Sequence, residues 1–250
     1  MKVNFKGLIS FFAIIFLWYF LTKIGIYSTY LLPTFPMIWE SFFQMLKDGS
    51  LFVHVSTSLT RVFIGYFIAF FLAFFLSIAS LIFKSFDKYF DWLIQFLRNV
   101  PPLSLIPLLI LWFGIGEKTK IIIIILASFF PMYLNINKGF KMTDVKLIEV
   151  GKVFNFSKLK LFFKIRLPYA LNDILVGMRI GLGYSYRAII GAEMIASSTG
   201  LGYMINFARS LSQTDVVIVG IIIIGLLGYL CDYLFKKMSK LLLKGREIYE

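Results

Sequence analysis

Six runs of apolar residues, 8–26, 57–83, 90–113, 121–136, 174–196 and 216–235, stand along the chain with short polar stretches between them. A helix needs about 20 apolar residues to cross the hydrocarbon of a bilayer, so each run is a candidate span, and no soluble domain is visible between them. Lys2 and Lys6 precede the first run, as they would in a signal peptide. No small-residue cleavage site follows, and Trp18 and Tyr19 are bulky for one, so a retained first helix is predicted. Between the first two runs, Pro36 can open a short helix through Met37, Trp39, Phe42, Phe43 and Leu46, read as interfacial.

Composition strengthens this picture. With 59% hydrophobic and 18% aromatic residues and a mean hydropathy of +0.84, the chain carries more apolar surface than one soluble core can hide. The expectation is an all-α, polytopic membrane protein with six transmembrane helices in a single domain, residues 1–250, embedded in the lipid bilayer. The formal charge of +13 raises nucleic acid as a partner, but the cations sit between apolar runs rather than on one solvated face, which argues against it. One cysteine, Cys231, excludes an intrachain disulfide, and with one histidine, His54, no protein-only zinc site can be assembled. With the amino terminus inside, the cytoplasmic segments hold Lys2, Lys6, Lys84, Lys88, eight cations between the fourth and fifth runs, and Lys236, Lys237, Lys240, Lys244 and Arg246. That is seventeen, against Lys23, Lys47, Lys118, Lys120 and Arg209 on the other side, and it places both termini in the cytoplasm.

The eight cations belong to a polar stretch of about 34 residues, 135–168. Thr143 or Asp144 can cap a helix through Val145, Leu147, Ile148 and Val150, and Ser157 a second through Leu159, Leu161, Phe162 and Ile165. Asn155 lies between them, and Asn is second only to Gly as a left-handed helix terminator, so it predicts a hinge in an elbow over 143–168. Pro168 is expected to stop the second helix and Asn172 to cap the following span. On charge alone a solvated basic loop would serve as well.

The residue order decides against the loop. Glu149-Val150-Gly151, then Asn155 and Ile165-Arg166-Leu167-Pro168, resembles the EAA loop of ABC transporter permeases. Val150 stands where Ala is usual in that family and Asn155 where Gly is usual. The resemblance runs from about 32 to 234 and is closest to the type I permeases of the nitrate, sulfonate and taurine uptake group. It is carried further by Leu59-Thr60-Arg61, by Arg98-Asn99-Val100-Pro101-Pro102, by Leu111-Trp112-Phe113-Gly114, by Gly177-Met178-Arg179-Ile180-Gly181, by Ala192-Glu193-Met194 and by Gly200-Leu201-Gly202. It implies a type I permease fold in the inner membrane, a second permease subunit (a homodimer being the simplest assembly), cytoplasmic ATPase subunits and an extracytoplasmic solute-binding protein. It also implies that Leu147, Glu149, Val150, Gly151, Phe154, Asn155, Ser157, Ile165 and Pro168 couple the spans to the ATPase. No Gly-x-x-x-x-Gly-Lys-Ser/Thr phosphate loop occurs, so ATP is expected on the partner subunit, with no cofactor and no catalysis on this chain.

Within the spans the most unusual segment is Asn99-Val100-Pro101-Pro102, midway along the third run. Two prolines remove two amide donors and leave carbonyls unpaired where lipid offers no partner. Arg98 beside them costs about 2.5 to 3.5 kcal/mol at a helix centre on insertion scales, so it should point into the bundle or a cavity. Two readings stand open: the break and Arg98 border a solute pathway, or the break is a structural kink with Arg98 paired to Asp91 or a neighbouring helix. Gly177 and Gly181, one turn apart on the fifth run, suit close helix packing. Arg187 and Glu193 are further pathway candidates, and four arginines inside apolar runs favour an anionic solute: nitrate, a sulfonate, taurine or, as an open alternative, a thiamine-precursor pyrimidine. A secondary transporter or channel acting without an ATPase is the alternative to an importer permease. A membrane enzyme is disfavoured, because the sequence offers no His cluster or paired-carboxylate motif.

Overall fold

A computed structural model describes residues 5–25, 27–83 and 85–243, all helices and connections. In chain order the helices are α1 (Phe5–Ile24), α2 (Phe35–Lys47), α3 (Ser50–Ile82), α4 (Phe86–Leu97), α5 (Ile106–Phe113), α6 (Glu117–Lys141), α7 (Val145–Val153), α8 (Lys158–Leu161), α9 (Leu167–Ala196), α10 (Leu201–Ser210) and α11 (Thr214–Leu242). Ile26, where the first run ends, and Lys2, Lys84, Lys244 and Arg246 of the charge count lie outside the described residues.

Three helices, α3, α6 and α11, are each long and apolar enough to cross a membrane, and the number rises to five if each of two bent helix pairs is one span. The bent pairs are α4 with α5, turned by 86° at the Asn99-to-Pro101 break, and the α8–α9 helix with α10, turned by 45°. The first run contributes a shorter apolar helix over Phe12–Ile24. Helix α3 begins at Ser50, seven residues before the apolar run begins. At 1.5 Å per residue its 33 residues extend about 50 Å, well beyond the hydrocarbon thickness, so the start of the apolar run does not mark the start of the helix.

Helix α6 is the central element and packs along α3 on one side and α9 on the other. Val62, Tyr66, Ala69 and Ala73 of α3, Ile124, Met132, Ile136 and Phe140 of α6, and Ile174, Leu182 and Ile189 of α9 form the main core. Small residues set the spacing. A Cβ on Gly177 would stand 2.8 Å from Asn135 Cβ, and one on Gly181 2.7 Å from Met132 Cγ, so the glycines of α9 let its backbone press against α6. Helix α2, opened by Pro36 as predicted, packs against α11, where Ser41 donates a hydrogen bond to Asp215. Trp18 Nε1 donates to the Pro33 carbonyl (3.0 Å) and ties α1 to the same corner.

Pro168 does not end a helix, and Asn172 does not begin one. A π-helical turn, Phe162–Arg166, joins α8 to α9, so that 158–196 is a single helical rod. The Leu167 amide reaches back to the Phe162 carbonyl, and this wider turn accommodates a proline ring that an α-helical interior would exclude. Asn172 therefore lies inside α9.

Candidate functional site

At the α7 end of the rod the two predicted caps are present. Asp144 accepts from the Lys146 amide (2.9 Å) and Ser157 from the Lys160 amide (3.3 Å), fixing the starts of α7 and α8. Asn155 has φ 53°, in the left-handed region. The Phe156 amide bonds the Gly151 carbonyl and the Asn155 amide bonds the Lys152 carbonyl, both at 2.9 Å, which is the Schellman closure of a helix. Gly151 is buried where α7 crosses the rod: a Cβ there would lie 2.6 Å from Leu161 Cδ2 and 2.7 Å from Ile165 Cδ1. Ile165 thus packs under Gly151, and Pro168 follows one turn further on. Around that contact the elbow is open. Leu147, Val150, Val153 and Phe154 are exposed, the last two at 80% and 70%, and Glu149 beside them is exposed too.

Midway along the chain, the break after α4 satisfies part of its own backbone. The Asn99 side-chain amide donates to the Gln95 carbonyl (2.7 Å), and the Asn99 and Val100 amides tighten the last turn onto Phe96 and Leu97. Ser104 donates to the Pro101 carbonyl through both its amide and its hydroxyl. Of the two carbonyls that Pro101 and Pro102 leave without an α-helical donor, that of Leu97 is taken by the tightened turn, and two short polar side chains serve the neighbouring Gln95 and Pro101 carbonyls. A cavity of about 320 Å³ opens beside the break, lined by Arg98, Asn99, Val100 and Pro102, by Phe130 and Pro131 of α6, and by Tyr184 of α9. Arg98 is exposed on its wall. No ion pair joins it to Asp91 or to another carboxylate among the described residues.

Across α9 from that cavity, a second one of about 230 Å³ lies between α9 and α11. Arg187 lines it, together with Arg179, whose guanidinium donates through Nε (2.6 Å) and Nη2 (2.7 Å) to the two oxygens of Asp232. Glu193 lines neither of these two cavities. It is fully buried near the end of α9, in a cluster that the charge count does not suggest.

At that end, Arg61 of α3 donates Nε and Nη2 to the two oxygens of Glu117 (2.7 and 2.6 Å), Nη1 to Glu193 and to the Thr199 carbonyl (both 2.7 Å), and Nη2 to the Thr199 hydroxyl (3.1 Å). A guanidinium has five N–H donors, and all are engaged. Lys120, itself buried, bridges Glu117 (2.7 Å) and Ser197 (3.2 Å). Glu193 also accepts from the Gly202 amide (3.0 Å) and from Ser58, whose hydroxyl accepts in turn from the Leu201 amide (2.9 Å). His54 Nδ1 accepts from the Gly200 amide (3.1 Å). The first amides of α10 thus find a carboxylate, a hydroxyl and an imidazole, each acceptor supplied by α3 or α9. Two cations and two carboxylates balance. The cluster welds the starts of α6 and α10 to α3 and α9 at the α9–α10 bend.

Arg61 and Lys120 were the hidden members: one read as an arginine inside an apolar run, the other counted among the cations on the non-cytoplasmic side. The available signal was the set of motifs Leu59-Thr60-Arg61, Ala192-Glu193 and Gly200-Leu201-Gly202, which meet here although they lie far apart in sequence.

Comparison with known proteins agrees with this architecture. Residues 62–243 match the family described as binding-protein-dependent transport system inner membrane component. The protein of Bacillus subtilis (strain 168) named for aliphatic sulfonates transport, SsuC, is 39% identical over 245 residues, covering 98% of this chain and 89% of that one. The taurine transport system permease protein TauC of Escherichia coli (strain K12) is 31% identical over 220 residues, covering 86% and 80%. A crystal structure of an amino acid ABC transporter with histidines shares the fold, with a TM-score of 0.62 at 18% identity over 80% of this chain and 96% of that one. The multi-pass helices, the elbow and these matches together place the chain in the family of binding-protein-dependent transport system inner membrane components, the permeases of ABC importers.

Proposed function

We propose that this chain is the permease subunit of an ATP-driven importer of small sulfonates. Two copies would form the pathway, the elbow would dock on a cytoplasmic ATPase that binds the ATP, and an extracytoplasmic binding protein would deliver the solute. The observation that carries the coupling part is the exposed apolar edge of the elbow, Leu147, Val150, Val153 and Phe154, held by a capped and hinged frame yet left uncovered by the described residues. An apolar edge of that kind on a basic, polar stretch fits a protein groove better than solvent. The positive-inside count supports a cytoplasmic elbow and cytoplasmic termini. Sulfonates are supported by the names of the two relatives and by Arg98 and Arg187, which line cavities on the two sides of α9 without carboxylate partners among the described residues. Glu193 holds the α9–α10 bend and lines neither cavity, so its part in this reading is structural.

The test is co-purification followed by reconstitution. The chain, expressed with an ATPase and a binding protein encoded beside it, should retain the ATPase on size exclusion and import ethanesulfonate into proteoliposomes only with ATP. Uptake by the chain alone, driven by a proton gradient, would contradict the proposal.

A further inference from the structure

The cavity between α9 and α11 has the parts of a binding site. Arg179, Gly183 and Arg187 follow one another at four-residue steps on one face of α9, so the two guanidinium groups bracket a stretch of about 12 Å with no side chain between them. A Cβ on Gly183 would meet nothing within 4 Å, which leaves that stretch open. Tyr186, 8% exposed, lines the same cavity, and its buried hydroxyl has no hydrogen-bond partner among the described residues. A buried hydroxyl without a partner is costly, and a ligand oxygen is what would satisfy it.

Charge selects the ligand. Arg179 is neutralised by its two bonds to Asp232, whereas Arg187 faces the cavity with no ion pair among the described residues. One net positive charge remains, which suits a monoanion better than a dianion. A guanidinium fork binds two oxygens of an oxyanion side by side. A carboxylate held this way has only lone pairs in the plane of the fork left to offer, whereas a sulfonate has a third oxygen out of that plane, and the Tyr186 hydroxyl is the donor without a partner in the same cavity. Resting on the reading of the chain as a sulfonate importer, we propose that Arg187 and Tyr186 form a sulfonate subsite within the membrane part, in which Arg187 takes two oxygens and Tyr186 the third, so that sulfonates are preferred over carboxylates of the same length.

The test uses the purified permease–ATPase complex without binding protein, with ethanesulfonate and propionate as probes at matched ionic strength. A ligand that binds only the folded protein raises the melting temperature in a concentration-dependent way. Ethanesulfonate should do so at a concentration several-fold lower than propionate. Arg187→Gln should raise the half-saturating ethanesulfonate concentration about tenfold or more, Arg187→Lys should lie between Gln and the native residue, and Tyr186→Phe should bring the two probes to within about twofold of each other. Equal ethanesulfonate shifts in the native protein and Arg187→Gln, both assembled with the ATPase, would overturn the site. So would a native complex stabilised equally by both probes. A phosphatidylglycerol headgroup offers the same monoanionic oxygens, and stabilisation by its short-chain form but not by ethanesulfonate would assign the cavity to lipid instead. Import of ethanesulfonate with an unchanged response in Arg187→Gln would sink the site alone; an Arg187-dependent shift without import would sink the transport reading alone.

Discussion

Arg61 and Glu193 lie 132 residues apart in sequence and meet at 2.7 Å, both out of solvent, where α3 passes the α9–α10 bend. Glu117, the other carboxylate on Arg61, is more than half exposed, so it keeps partial hydration when the arginine is lost. Glu193 has no such recourse. Arg61→Ala should therefore destabilise the protein by about 3 to 5 kcal/mol, through the stranded Glu193 charge. Glu193→Gln, which keeps a hydrogen-bonding side chain, should cost less, and the double variant Arg61→Ala with Glu193→Gln should recover part of the loss. Thermal denaturation of the detergent-solubilised protein gives the order; a double variant worse than Arg61→Ala would contradict the assignment.

Asn155 holds a left-handed conformation that most side chains pay about 1 to 2 kcal/mol to adopt. Asn155→Gly should leave the elbow intact, and Asn155→Val should loosen it. Limited proteolysis between α7 and α8 reads this directly: the Val variant should be cut several-fold faster than the native protein and the Gly variant no faster.

Gly151 has side-chain carbons of Leu161 and Ile165 in the space a Cβ would take. Those are the tips of flexible side chains, so Gly151→Ala should be partly accommodated, while Gly151→Leu should pry α7 off the rod. The expected result is a correctly inserted protein whose ATPase association is lost in the Leu variant and only weakened in the Ala variant, measured by co-purification.

Asn99 is the side chain that satisfies the Gln95 carbonyl at the break. Asn99→Leu should leave that carbonyl without its partner and cost about 1 to 3 kcal/mol. Asn99→Asp should fail similarly, because a carboxylate cannot donate. A lowered melting temperature in both variants would agree; native stability in Asn99→Leu would mean that another donor reaches Gln95.

What was legible in the sequence was what local chemistry decides. Asp144, Ser157 and Asn155 determine caps and a hinge from their own side chains, so the elbow could be drawn before any coordinates. The tandem prolines announced a break in the same way. Length and pairing were harder. The apolar run of α3 begins at Thr57, although the helix begins at Ser50. Pro168 reads as a stop in an α-helical frame and is absorbed once the frame widens to a π turn. Arg61, Lys120, Glu117 and Glu193 neutralise one another only after α3, α6 and α9 have packed, and nothing in the spacing of those four residues declares it. Lys120, counted with the outer cations, is buried.

The central claim is that the elbow transmits ATP hydrolysis to the spans, and the ratio of ethanesulfonate molecules imported to ATP molecules hydrolysed tests it most directly. Glu149 is exposed beside the apolar edge and far from the core, so Glu149→Arg changes the docking surface without disturbing the fold. In proteoliposomes holding the whole complex, the ratio should fall close to zero in Glu149→Arg while the complex stays assembled and hydrolysis continues. A ratio equal to that of the native protein would contradict the account.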